Sequence, residues 1–219
     1  MTDYQKQAQE FKVLLYGLFA LPLQALTPAE AYRQMTLHAY GVVPWAIDFI
    51  VKHSTFEVDT ALAYGGGWYP PLVADSTGKG RIVLRSFQDE ACIHENSHVW
   101  WHWRRLEQPF LPLLLARAVV KVADMDEASN PQCAEAIRFL RGYVNGIGDW
   151  PGMYALDGKV PDVHNLTEAD MVHIIDWEIF AGLCSYTMGK FREGERQLPP
   201  ELWPFVDRFF TGTIWRRPY

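Results

Sequence analysis

With 219 residues and 49% hydrophobic side chains, the chain can bury one sizeable core, so it reads as a single compact domain without repeats or low-complexity segments. Its net charge of -6, with no basic block, argues against a nucleic-acid partner, and no apolar run reaches the ~20 residues of a membrane span. Its cysteines, Cys92, Cys133 and Cys184, are odd in number and widely spaced, which speaks against a disulfide framework and for small core residues.

In chain order, Val13 to Leu21 is an apolar run behind Lys6 and Lys12, the outline of a secretory signal. Asp3, Glu10 and a mostly polar start run against that outline, and Pro22 and Gln24 cut the run short. The expectation is an amphipathic helix within an N-terminal helical segment, residues 1–41, packing on the domain of a cytoplasmic protein; secretion is the alternative. Thr27-Pro28-Ala29-Glu30 is a capping box with Pro at the first helical position, which predicts a helix ending near Gly41. A short helix follows from Pro44 to Lys52, then a strand from Thr55 to Ala63 and a Gly-rich loop from Ala63 to Pro71. A turn at 76–80 leads into a strand from Arg81 to Arg85. Helices are expected over Phe87–Leu106, Pro109–Val122 and Pro131–Val144. Gly146 to His164 is irregular, a candidate lid or connector. Thr167, with Asp170 as its capping partner, opens a helix to Lys190, and Pro200 to Phe210 closes the chain as a helix. The sum is an α+β fold, mostly helical, with a small sheet.

The helix over Phe87–Leu106 carries the chemistry. His94-Glu95-Asn96-Ser97-His98 spells H-E-x-x-H. Residues four apart share one helix face, so both imidazoles can address one metal ion. Glu95 stands one step round, within reach of a water on that ion; such a water has its pKa lowered to about 7 and can lose its proton to a neighbouring carboxylate. The flanks are apolar, with Ala91-Cys92-Ile93 before and Val99-Trp100-Trp101 after, and no second charge occurs between Glu95 and Trp103. A buried or half-buried helix is implied, in which two histidines and a glutamate need partners. Trp100, Trp101 and Trp103 crowd this helix and read mainly as core.

A catalytic zinc site usually has three protein ligands and one open position. His102 continues the four-residue step, but three ligands along one straight helix do not easily surround an ion, so it reads as a cleft-lining or packed residue. Glu178, alone among Trp177, Ile179, Phe180, Ala181, Leu183 and Cys184, is a carboxylate on the apolar face of a second helix and the better third ligand. His173, His164 and the cysteines stand as rivals.

H-E-x-x-H followed on a later helix by Glu178 and then Phe180-Ala181 resembles the gluzincin zinc metallopeptidases, and within them the catalytic domain of anthrax-toxin-lethal-factor-like peptidases. Gly65-Gly66-Gly67-Trp68-Tyr69, Gly80-Arg81-Ile82-Val83-Leu84 and Leu198-Pro199-Pro200-Glu201-Leu202-Trp203-Pro204-Phe205 extend the likeness loosely over Val42 to Phe210. The resemblance implies a zincin-like domain over residues 42–219, with a small sheet beside the active-site helix and one Zn2+ on His94, His98 and Glu178. It gives Glu95 the role of base, makes a peptide or protein the substrate, and leaves the Arg81–Arg85 strand an edge free to pair with that substrate. Three departures stand out. Gly182 occupies the place of a second Glu one turn after the ligand Glu. No Tyr occurs in Asp170-Met171-Val172-His173, where the family has its oxyanion donor, so that role falls to His173, Tyr154 or Tyr186. The stretch from His98 to Glu178 is also long. The missing Tyr motivates a second reading, hydrolysis of a small amide, and Gly182 a third, a catalytically inactive zincin-like binding domain.

Overall fold

The structure, a computed structural model, describes residues 26–63, 65–71, 78–146, 178–185, 198–206 and 209, with side chains described as far as 141 in the third of these segments. The amphipathic helix expected before residue 26, the irregular stretch over 147–164 and the capping box of Thr167 and Asp170 lie outside them. The fold is α+β. It divides into two compact units, one ending at Trp100 and the other beginning at Trp101, a division that falls inside the helix carrying H-E-x-x-H.

In the first unit, helix α1 (Pro28–Ala39) starts as its sequence dictates: Thr27 Oγ1 accepts from the backbone N–H of Glu30 at 3.1 Å. It ends in a Schellman turn. Gly41 takes a φ of 81°, and the N–H groups of Gly41 and Val42 donate to the carbonyls of His38 and Leu37, both at 3.0 Å. Helix α2 (Pro44–His53) buries Ala46, Ile47 and Ile50, then runs directly into strand β1 (Ser54–Val58), where Ser54 and Phe56 face inward and Thr55 and Glu57 outward. Strands β2 (Gly66–Tyr69) and β3 (Gly80–Leu84) complete a sheet of order β1-β3-β2, β3 pairing parallel with β1 and antiparallel with β2. Helix α3 (Asp89–Glu107) follows, its first residue gripped by two phenols: Tyr32 and Tyr40 donate to Asp89 Oδ1 and Oδ2 at 2.8 and 2.7 Å. Burial is the main reason that the Tyr32 hydroxyl keeps its proton far above the usual range, with the Asp89 carboxylate adding to it.

The sheet departs from the sequence expectation in two ways. The first strand ends at Val58, because Asp59 Oδ1 accepts from the N–H of Ala61 at 2.9 Å and turns the chain. The Gly-rich segment, expected to be a loop, contains β2. Its glycines serve close approach: a Cβ on Gly66 would lie 2.5 Å from Leu84 Cδ2, across the ladder. Gly80, on β3, is covered by the Trp68 indole, which a Cβ there would meet at 1.7 Å. Because β2 occupies one side of β3 and β1 the other, the strand expected to offer a free edge to substrate is the central one, and the outer strands are β1 and β2.

The second unit is built on helices α4 (Leu111–Ala123) and α5 (Ala134–Gly146), the latter entered through a 3-10 turn at Pro131–Cys133. Leu115, Ala116, Val119 and Val122 make the buried stripe of α4. The connection is held by Arg141, which donates to the carbonyls of Ala123 and Met125 at 2.9 Å and to Glu127 at 2.8 Å. A helical stretch at 178–185 (α6), a 3-10 turn at Pro200–Leu202 and helix α7 (Trp203–Val206) follow. Among the described residues no helix is long and apolar enough to cross a membrane.

Replacing Gly80 with Ala drives a methyl group into the Trp68 ring and is expected to destabilise the protein by about 1–3 kcal/mol. Thermal unfolding followed by circular dichroism measures this; an unchanged Tm would mean that Trp68 does not cover Gly80.

Candidate metal centre

Helix α3 has two faces with different work. On one, His94 and His98 stand a turn apart with ring centroids 4.9 Å from each other and planes at 82°. His98 is 4% exposed and the adjoining Glu95 9%, whereas His94 is partly open to solvent. Asn96 lies on the opposite face and Ser97 to one side of the imidazoles; both are fully buried and bond back to carbonyls one turn earlier: Asn96 Nδ2 donates to Cys92 O and Ser97 Oγ to Ile93 O, both at 2.7 Å. Asn96 Oδ1 accepts from Arg33 Nε at 2.8 Å. Arg33 is itself fully buried; burial pulls its guanidinium below the usual value, and Glu30, 3.2 Å away, opposes that pull. Burial pushes the Cys92 thiol up, against the opposing charge of Arg33, so this cysteine stays a protonated core residue rather than a thiolate.

Helix α6 is buried at every described position, with Glu178 8% exposed. Trp101, three residues after His98, stacks on Phe180, two residues after Glu178, with centroids 4.6 Å apart and planes at 15°. Phe180 in turn meets Phe209 edge-on at 6.0 Å. Ser185 Oγ donates to Gly182 O at 3.1 Å, so the position where the resembled family has a second Glu contributes only backbone to that bond.

One ligand atom each from His94, His98 and Glu178 lies within 4.8 Å of the others. Zinc takes imidazole nitrogen and carboxylate oxygen at ~2.0–2.2 Å, which puts tetrahedral ligands roughly 3.4 Å apart. Two imidazoles and one carboxylate in a buried setting fit a divalent cation in charge and donor type, and three ligands leave one position open. Among the described residues no other such group forms, and His102, Cys92 and Cys184 stay outside this one. His102 lies on the same unbroken helix, half-buried, with its ring edge-on to Trp103 at 5.6 Å; burial and then the nearby Arg105 hold it below the usual imidazole range. His173, His164, Tyr154 and Tyr186 lie outside the described residues.

No family model, curated protein or solved structure matches this chain.

Sequence reasoning missed the side chains behind the motif. Arg33 occupies the stripe of Ala29, Thr36 and Leu37, its i-4, i+3 and i+4 neighbours, and a lone cation on a stripe that is otherwise small or apolar was the available signal.

Protein purified without chelator is expected to carry about one zinc per chain, and Glu178→Ala to lose most of it, as read by elemental mass spectrometry. Full retention by the variant would move the third ligand to His102 or to a residue beyond those described.

Proposed function

We propose that the protein is a zinc-dependent metallopeptidase of the gluzincin kind, resembling the lethal-factor-like peptidases. The observation that carries this reading is the approach of Glu178 to His94 and His98, from a helix 80 residues further along the sequence. It supports the same three ligands that the resemblance implies. His94, His98 and Glu178 would hold the ion. When bound, zinc supplies a Lewis acid that makes water acidic enough to ionise near neutral pH and polarises a carbonyl.

Glu95 acts as general base. Its carboxylate takes a proton from the attacking water and delivers it to the departing amine nitrogen, so the reaction consumes one water and leaves an acid and an amine. It stands beside His94 on a helix held from behind by the Arg33–Asn96 bond. Low exposure at Glu95 limits competition from bulk water. His173 is the proposed oxyanion donor. Extended peptides can add as a further strand at β1 or β2, the outer strands of the sheet.

Against a library of unstructured peptides, Glu95→Gln is expected to lower turnover by at least ~100-fold while zinc content and Tm stay at their original values. Cleavage at the original rate by this variant would remove Glu95 from the mechanism. Turnover of small amides with no cleavage of any peptide would replace the peptidase with a small-amide hydrolase.

A further inference from the structure

We propose that Arg33 is a positioning residue for the metal-binding face of α3: acting through Asn96, its buried guanidinium fixes the rotation of the helix that aims His94 and His98. The inference rests on the metal site proposed above and adds a part that H-E-x-x-H does not contain.

A guanidinium has five N–H donors in one plane, and in Arg33 all five are used. Nε donates to Asn96 Oδ1 at 2.8 Å. One terminal nitrogen donates to Glu30 Oε2 at 3.2 Å and to Ser54 O at 3.3 Å. The other donates to Ile50 O at 3.1 Å and to Ser54 Oγ. The partners belong to α1, α2, β1 and α3, so one rigid ion sets four elements against each other. Asn96 is two residues after His94 and two before His98; at about 100° per residue it points roughly 200° away from either imidazole. The grip is therefore on the back of the helix, and the ligand face stays clear. The Asn96 amide cannot swing, because its Nδ2 donates to Cys92 O at 2.7 Å while its Oδ1 accepts from Arg33.

A second grip lies seven residues earlier, where Tyr32 and Tyr40 hold Asp89. That is about 10 Å along the axis. Two attachment points at different heights define both the rotation and the height of α3. Packing alone could join these elements with less desolvation, since a well-packed apolar group often replaces a buried ion without loss of stability. What the guanidinium adds is direction.

The test uses the full chain in three variants, Arg33→Met, Asn96→Leu and the double variant, with Arg33→Lys as a milder change that keeps the charge but not the planar fork. Folding is followed by circular dichroism, zinc affinity by competition with a chromophoric chelator, and ligand geometry by the visible absorption of the Co2+-loaded protein. Folded single variants are expected to bind zinc roughly 10–100-fold more weakly, with an altered cobalt band. The double variant should be no weaker than the worse single one, because both act on one contact. If Arg33→Met does not fold, Arg33→Lys and Asn96→Leu carry the measurement. Unchanged affinity and an unchanged cobalt band in folded variants would overturn the positioning role and leave the metal site standing; additive losses would overturn the route through Asn96. Absence of zinc uptake by the unaltered chain would overturn the metal site and this inference together.

Discussion

A cation with five donors cannot be left in a protein interior with any of them unmet, and the first unit of this fold is arranged around that constraint. Arg33 is fully buried, yet each of its N–H groups has an acceptor. Two are backbone carbonyls, Ile50 O near the end of α2 and Ser54 O at the start of β1, at the point where helix passes into strand with no loop between. Ser54 Oγ, itself donating to Ile50 O at 2.7 Å, closes the ring of contacts. Removing one partner from such a buried set generally costs ~3–5 kcal/mol, because the charge stays and its compensation goes. The helix–strand junction, the start of the sheet and the motif helix thus share one electrostatic anchor.

From this anchor the two faces of α3 acquire their division of labour. The helix is polar on both faces, unusually for a buried element, but the polarity differs in kind. On the back, Asn96 is a neutral amide whose hydrogen bonds are met within the helix and by Arg33. His94, Glu95 and His98 are titratable groups suited to a metal and to a proton. Further along the same helix, Trp101 stacks on Phe180, two residues after Glu178. Large apolar contacts act through area, and small polar groups act through direction.

What was legible in the sequence follows from the range of the interaction. The Thr27 N-cap and the Gly41 terminus are decided within five residues and read correctly, while the Glu30 carboxylate accepts from Arg33 and Gln34. His94 and His98 share a face by helical periodicity alone, and Glu178 was conspicuous as a carboxylate in an apolar run. Fold class followed from the balance of periodic segments. The strand at Gly66–Tyr69 was not legible, because glycine signals a turn locally and close backbone approach only when the opposite strand is known. The Arg33–Asn96 bond spans 63 residues of sequence: Arg33 stands out on its own stripe as a lone cation, but nothing near it in the sequence names Asn96 as its partner. For the oxyanion donor, the spacing from Glu178 points to His173, which lies outside the described residues.

The indole of Trp68 lying on Gly80 has a consequence for how this sequence can drift. The two positions form a lock in which each residue dictates the other: Gly80 admits no side chain while the ring covers it, and the ring has a seat only while Gly80 stays bare. A single change at either position leaves a clash or a gap in the ladder, whereas a paired change, a small side chain at 68 with a methyl or larger group at 80, restores contact. In an alignment of descendants of this chain, columns 68 and 80 would vary together or not at all, and their coupling would mark the register of β2 on β3 without any structure in hand.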